Sequence, residues 1–321
     1  MSSTPGSQAT ETGDVPQSRK VLAILSMAGL LLAVELLALG LVPEFDRAGL
    51  QATENPQDPL NSVFYIGIIL IFTLLMLIII KYDVKWIIRA VILLSAASLS
   101  FYALSVVLPL SVALVFALGI GVLLYVYPEW YVIDGAGVLM GAGGAGIFGI
   151  SLGIVPSLVL LVILAVYDAI AVYRTKHMLT LAEGVMDLRL PIMFVVPTRR
   201  GYSFIEEQQE NGNQEEDTSG SDKLEGSGER DAFFMGLGDA VIPSILIASS
   251  AHFIGGDLGL PIALNYPALG GIIGSLIGFV ALMYFVTRGK AQAGLPLLNG
   301  GTIGGFLVGV LALGIPLSQL V

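Results

Sequence analysis

Nine runs of about twenty apolar residues, separated by polar stretches, leave this chain few folds to choose from. A run of that length spans the roughly 30 Å of hydrocarbon in a bilayer. Inside lipid every backbone N–H and C=O must be satisfied within the segment, so each run is expected to be a helix. The runs extend approximately from Val21 to Val42, Leu60 to Ile80, Trp86 to Leu108, Leu110 to Val126, Val132 to Ile150, Ile154 to Tyr173, Ala232 to Ile254, Pro261 to Val286 and Leu297 to Leu317. They set the composition: 55% of the 321 residues are hydrophobic and 12% charged, with a mean hydropathy of +0.85, far outside the range of a soluble domain. The expectation is an all-α, multi-pass protein of the cell membrane. Residues 1–20 are polar and no small-residue cleavage pattern follows the first run, which therefore reads as an uncleaved span.

Orientation follows from the basic residues. With nine spans and a cytoplasmic N-terminus, fourteen of the fifteen Lys and Arg residues fall in inside segments, and Arg47 alone falls outside. Basic residues are retained on the cytoplasmic side, so this asymmetry supports both the span count and an outside C-terminus. Residues 21–173 then hold spans one to six, 174–231 an inner loop, and 232–321 spans seven to nine. Glu206 to Asp231 contains ten acidic residues against Lys223 and Arg230, which accounts for eight of the ten net negative charges. Rich also in Gly, Ser, Gln and Asn, residues 206–231 cannot bury enough apolar area to offset their ordering entropy and read as a disordered linker.

The absence of cysteine removes thiolate chemistry, disulfides and cysteine-ligated zinc, and two histidines, His177 and His252, do not make an HExxH site. No metal or other cofactor is expected, and nothing points to a nucleic-acid partner. The lipid bilayer is the medium in which any partner must be met.

Against this background two aspartates stand out, Asp168 in LVILAVYDAIAVY and Asp239 in FFMGLGDAVIPSIL. An ionisable side chain within a span costs on the order of 3 kcal/mol and is kept mainly where it performs a function. Asp168 precedes Arg174 by six residues and Asp239 follows Asp231 by eight, so with helical rise both lie about 9 to 12 Å below the cytoplasmic surface. The two spans are antiparallel, and the carboxyls can meet although 71 positions separate them. Facing carboxyls share one proton: the ionised one activates water, while the protonated one polarises a carbonyl and later protonates the leaving nitrogen. The pair titrates as a unit, so neither residue takes a fixed role. Gly236 and Gly238 remove side chains beside Asp239 and open it to a substrate backbone. A proton-coupled transporter also employs intramembrane carboxylates, but it is expected to show two similar halves with interrupted helices, and no such duplication is present. A membrane scaffold leaves the two aspartates unexplained.

Several other patterns have plainer readings. Gly141 to Gly146, GAGGAG, fits GxGxxG but lies in an apolar span without a preceding strand, so close helix packing explains it. Glycines at four-residue spacing, Gly270, Gly274 and Gly278, then Gly301, Gly305 and Gly309, mark helix interfaces or the contact of a homo-oligomer. Gly149-Ile150-Ser151-Leu152-Gly153 matches the serine-hydrolase string GxSxG, with His252 on the same outer side, yet it falls in a turn between helices rather than at a strand-to-helix elbow. Glu35 is read as a structural hydrogen-bonding residue and His177 as a helix C-terminal cap. Leu190 to Pro197, LPIMFVVP, reads either as an interfacial segment resting on the protein or as an edge strand that pairs with extended substrate near the aspartates.

Tyr167-Asp168 in LAVYDAIAVY, GLGD at Gly236 to Asp239, and nine spans with a long loop after the sixth resemble the presenilin and signal peptide peptidase family of intramembrane aspartyl proteases. YPEW at Tyr127 to Trp130 is similar to the presenilin branch, which shares the cytoplasmic N-terminus, and the short soluble segments fit a prokaryotic, archaeal-type member. The resemblance covers roughly Tyr125 to the C-terminus. The pairing of YD with GLGD is specific, whereas GxGD alone also occurs in prepilin and preflagellin peptidases. The resemblance implies an aspartic endopeptidase with catalytic Asp168 and Asp239, supported by Tyr167, Gly236, Leu237 and Gly238, acting on transmembrane proteins or peptides. It also implies a Pro-Ala-Leu motif before the last span. The literal match, Pro267-Ala268-Leu269, comes too early, so the motif is carried onto Pro296, Leu297 and Leu298, where Leu297 departs from Ala.

Overall fold

The computed structural model describes residues 17–82, 85–175, 193–199, 202–203, 205, 232–256, 258–260, 262–288 and 292–316. The N-terminal 16 residues, His177 and the acidic stretch 206–231 lie outside the described residues. Within them nine α-helices form: α1 Gln17–Arg47, α2 Leu60–Lys81, α3 Lys85–Ser105, α4 Leu110–Val126, α5 Trp130–Ser151, α6 Ile154–Ile170, α7 Leu237–Phe253, α8 Tyr266–Val286 and α9 Gly294–Ala312. Six are long and apolar enough to cross a membrane, and α2, α4 and α7 supply shorter apolar stretches. Outward-facing Leu60, Phe64 and Ile71 on α2, and Leu110, Val115 and Phe116 on α4, are more than half exposed, as a lipid-facing surface requires.

The glycine-rich helix α5 is the axis of the bundle. A Cβ at Gly143 would stand 2.9 Å from Leu99 O on α3, one at Gly146 would stand 2.7 Å from the Phe45 ring on α1, and one at Gly149 would overlap Ala248 on α7. GAGGAG is therefore a packing seam in which three helices approach one backbone, as small residues in membrane helices allow. Beyond its end, Ser151 is buried with its hydroxyl engaged on both sides: it donates to Ile147 O at 2.6 Å and accepts from Ala52 N at 2.8 Å. His252 lies 3.8 Å from Asp46, not on Ser151. The GxSxG string is thus a structural corner. Glu35, fully buried on α1, is 2.5 Å from the Ser275 hydroxyl on α8, a structural tie as expected.

Three of the later runs differ from the hydropathy pattern for local reasons. The eighth run becomes helical at Tyr266, where Asn265 caps α8 by accepting from Ala268 N at 2.8 Å while its amide donates to Ser250 O and Ile254 O at the end of α7, both at 2.7 Å. The ninth starts a turn early at Gly294 and stops at Ala312, before Gly314 with φ +70°. The seventh is divided: Ala232–Gly236 is a strand, β2, and only from Leu237 is the chain helical. β2 pairs antiparallel with β1, Met193–Pro197, in the register Met193↔Gly236 to Pro197↔Ala232. The fold is therefore not purely helical, and the depth reckoned for Asp239 from a continuous helix is replaced by its place in the first turn of α7.

Helices α8 and α9 form a glycine-lined hairpin. Cβ atoms at Gly270, Gly274 and Gly278 would overlap the carbonyl oxygens of Gly305, Gly301 and Leu297, so the two backbones are in direct contact along their length. This seam sets where α9 begins. Gly274→Ala is expected to destabilise the protein by about 1 to 3 kcal/mol through overpacking, whereas Gly300→Ala, which meets nothing within 4 Å, is expected to raise stability slightly, by up to about 1 kcal/mol of helix propensity; thermal unfolding of the detergent-solubilised variants measures the difference.

Candidate active site

Three helix ends converge on the two aspartates. Asp168 lies in the last turn of α6, is 4% exposed, and is followed by a single π-helical turn, Ala171–Thr175, of the kind that gathers at functional sites. Asp239 lies in the first turn of α7, half-buried, where β2 hands over to the helix at Gly236. The two carboxyls are close enough to interact electrostatically. Matched depth therefore comes from helix termini brought to one level, not from equal distances along two continuous spans.

The third terminus is the start of α9. The opening turn of a helix carries amides with no partner inside the helix. Here Asp168 accepts a hydrogen bond from the backbone N–H of Leu295 at 3.1 Å. Pro296 has no N–H to offer and its fixed φ suits a first turn, so the amide turned to Asp168 is the one just before it. Asn299, one turn further, donates to Leu161 O on α6 at 2.9 Å and locks the two helices together. Gly294 also faces the second carboxyl: a Cβ there would stand 2.7 Å from Asp239 Oδ2. Gly294 and Leu295, which the motif transfer onto Pro296 to Leu298 passes over, are thus the residues of this segment that touch the aspartates. The rule that a helix start presents free amides is the sequence signal that points to them.

The remaining expected site residues divide by environment. Gly236 would place a Cβ 3.4 Å from Asp239 Oδ2, and Gly238 is exposed with nothing within 4 Å, so both leave the approach to Asp239 open. Leu237 is 9% exposed and packs beside Gly141 of α5, a core role. Tyr167 is 40% exposed on the outer side of α6. Leu298 is fully buried, while Pro296 and Leu297 are half-buried, and the Leu297 carbonyl fills the space that Gly278 leaves free. The literal Pro267-Ala268-Leu269 sits at the opposite end of the hairpin, where the Pro267 Cα is 2.7 Å from the position of a Gly309 Cβ, far from the start of α9. Among the described residues no group of three or more His, Asp or Glu side chains is arranged to hold a metal. A cavity of about 530 Å³ beside Tyr127, Glu129 and Trp130 of the YPEW stretch has neither aspartate in its lining.

A sequence model described as signal-peptide peptidase, presenilin aspartyl protease matches residues 28–315. The chain belongs to this family. Two solved structures of a presenilin family intramembrane aspartate protease, in space groups C222 and P2, are similar to the protease described here over nearly its whole length. The first is 38% identical and covers 90% of this chain and 99% of its own; the second is 39% identical and covers 91% and 98%; each has a TM-score of 0.62. No curated protein is matched. The chain is accordingly a multi-pass membrane protein of the intramembrane aspartyl protease class, and nothing in these likenesses supports a transporter.

Gly294→Ala tests the arrangement at the third terminus. The added methyl meets the end of a short side chain rather than backbone, so the fold is expected to persist while the Asp239 carboxyl is displaced. A misplacement of about 1 Å costs up to roughly a hundredfold in rate. Cleavage of a single-span substrate is expected to slow by about ten- to a hundredfold, with thermal stability unchanged in the same preparation.

Proposed function

We propose that the protein hydrolyses peptide bonds within the transmembrane segments of membrane proteins, with Asp168 and Asp239 as the water-activating pair, nine spans, a cytoplasmic N-terminus and an outside C-terminus. The observation that carries this reading is the convergence of both carboxyls on the Gly294–Leu295 backbone at the start of α9. The Leu295 amide holds Asp168, the glycine before it admits Asp239, and the exposed Gly238 leaves an open side from which a substrate backbone reaches the pair. In the proposed reaction one shared proton lies between the carboxyls. The ionised member removes a proton from water as that water attacks the scissile carbonyl, and the protonated member donates to the carbonyl oxygen. Collapse of the tetrahedral intermediate then returns a proton to the departing amine. In the proposed topology, which the fourteen basic inner residues support, the pair lies near the cytoplasmic surface, where water is available.

A helical substrate hides its peptide bonds, so the segment to be cut must first become extended. The small sheet offers it a template. Val195 N–H is turned away from β2, and in an antiparallel pair the residue opposite, Phe234, then also turns its N–H and C=O away, toward the outer edge of β2. Among the described residues no hydrogen bond reaches those groups of Phe234. Of the edge expected of Leu190 to Pro197, residues 190–192 lie outside the described residues and Met193–Pro197 is β1; the edge proposed for substrate belongs to β2, which leads directly into Asp239. Substrate adding to this edge by β-augmentation runs toward the dyad.

Asp168→Ala and Asp239→Ala are each expected to lower proteolysis of a single-span substrate by roughly a thousandfold or more, with the fold intact. Appreciable cleavage by either variant sinks the assignment. Phe234→Pro removes the outward N–H of β2 without removing a bond within the sheet; strongly reduced cleavage is expected, and unchanged cleavage contradicts the strand-addition step alone.

A further inference from the structure

A third carboxyl lies close to the substrate path without belonging to the pair. Asp134, in the second turn of α5, is 6% exposed, and its Oδ1 accepts from Val195 N at 2.8 Å. That amide is the outward donor at the centre of β1, so the carboxyl occupies the edge of the sheet that β2 does not cover. One helical turn along, Gly137 lacks the Cβ that would stand 2.9 Å from the Phe194 ring, and Phe194 is fully buried against this gap. Helix α5 therefore holds two successive residues of β1 by different means: Phe194 by shape and Val195 by a hydrogen bond.

Holding β1 fixes more than β1. Its register with β2 runs Met193↔Gly236, and Gly236 is the residue on which α7 starts, with Asp239 in the first turn. Adjacent strand residues alternate between edges, so a slip of one residue exchanges inward for outward amides and moves the pairing by about 3.3 Å. A strand this short, five residues with Pro197 at one end, has few hydrogen bonds of its own to resist such a slip. An external acceptor on the most deeply embedded helix supplies the missing restraint.

We propose that Asp134 is a specificity-determining positioning residue: it closes the outer edge of β1 to substrate and pins the register of the sheet, so that an extended substrate adds only to β2 and presents one set of peptide bonds to Asp168 and Asp239. This rests on the reading that substrate pairs with β2 before cleavage by the two aspartates. Asp134 touches no reacting atom; its effect is exerted through β1 and Gly236.

The test is a comparison of the full-length, detergent-solubilised Asp134→Asn, Asp134→Leu and Gly137→Ala proteins with the parent, on one single-span substrate, with product masses and kcat and KM measured together. Asn retains an acceptor for Val195 N–H, so Asp134→Asn is expected to keep the parent's cleavage sites and to stay within about threefold of its KM. Asp134→Leu leaves the amide unpaired, and is expected to add cleavage sites displaced by one or more residues and to raise KM about tenfold, with kcat changed less. Gly137→Ala pushes Phe194 from its gap and is expected to spread the sites in the same way, which keeps the proposal testable if the Leu variant does not fold. Parent-like product masses and KM in Asp134→Leu, or in Gly137→Ala where the Leu variant does not fold, overturn it. Equal disturbance by Asn and Leu also overturns it, since a register role requires rescue by the retained acceptor. Failure of the underlying reading looks different: Asp168→Ala or Asp239→Ala remains active, or Phe234→Pro cleaves normally.

Discussion

A carboxylate inside a membrane needs donors, and in this fold they come from the start of a helix. Asp168 takes the backbone amide of Leu295, which α9 cannot satisfy itself, at a terminus where Pro296 has no amide of its own to offer. The contact solves two problems together: it satisfies an exposed helix terminus and it makes a buried acid tolerable. Everything else at the site is arranged so that this contact can form. The glycine seam between α8 and α9 brings their backbones together and fixes the height at which α9 opens. Asn299 ties α9 to α6, and Gly294 leaves the space in which Asp239 can join.

The second aspartate is delivered by a different device. Gly236 ends a strand and starts a helix, so Asp239 sits where backbone changes from extended to helical form. A protease acting inside lipid has to provide for an extended substrate in a place that otherwise tolerates only helices. The sheet of β1 and β2 is the enzyme's own extended backbone at that level, and it is covered on one edge by Asp134. Strand, helix starts and carboxyls thus form one connected unit, with α5 as the wall against which the strand is held.

Much of this is legible in the sequence because the bilayer restricts the choices. Long apolar runs separated by basic inner loops give the helices, and the carboxyls of Asp168 and Asp239 stand out against them. The sheet is not legible in the same way. Ala232 to Gly236 is apolar and runs without a break into the apolar residues of α7, so hydropathy joins what Gly236 divides, and periodicity over five residues does not separate strand from helix. The rule that picks out the two aspartates applies equally to Glu35 and Asp134, and it does not distinguish a structural acid from a reacting one. That distinction appears only with the partners: Ser275 for Glu35, Val195 N–H for Asp134, and a helix terminus with a second carboxyl for Asp168. The two Pro-Ala-Leu candidates separate likewise by position in the hairpin, since Pro296 opens α9 at the aspartates and Pro267 opens α8 at the far end.

The central claim is that Asp168 and Asp239 act as one unit on a single reacting carbon. A structure of the protein bound to a peptide carrying a hydroxyl transition-state isostere tests this most directly. The account predicts that the hydroxyl lies within hydrogen-bond distance, about 2.6 to 3.2 Å, of both carboxyls, with the flanking peptide extended along β2. An isostere held by only one aspartate, or bound away from the start of α9, contradicts it.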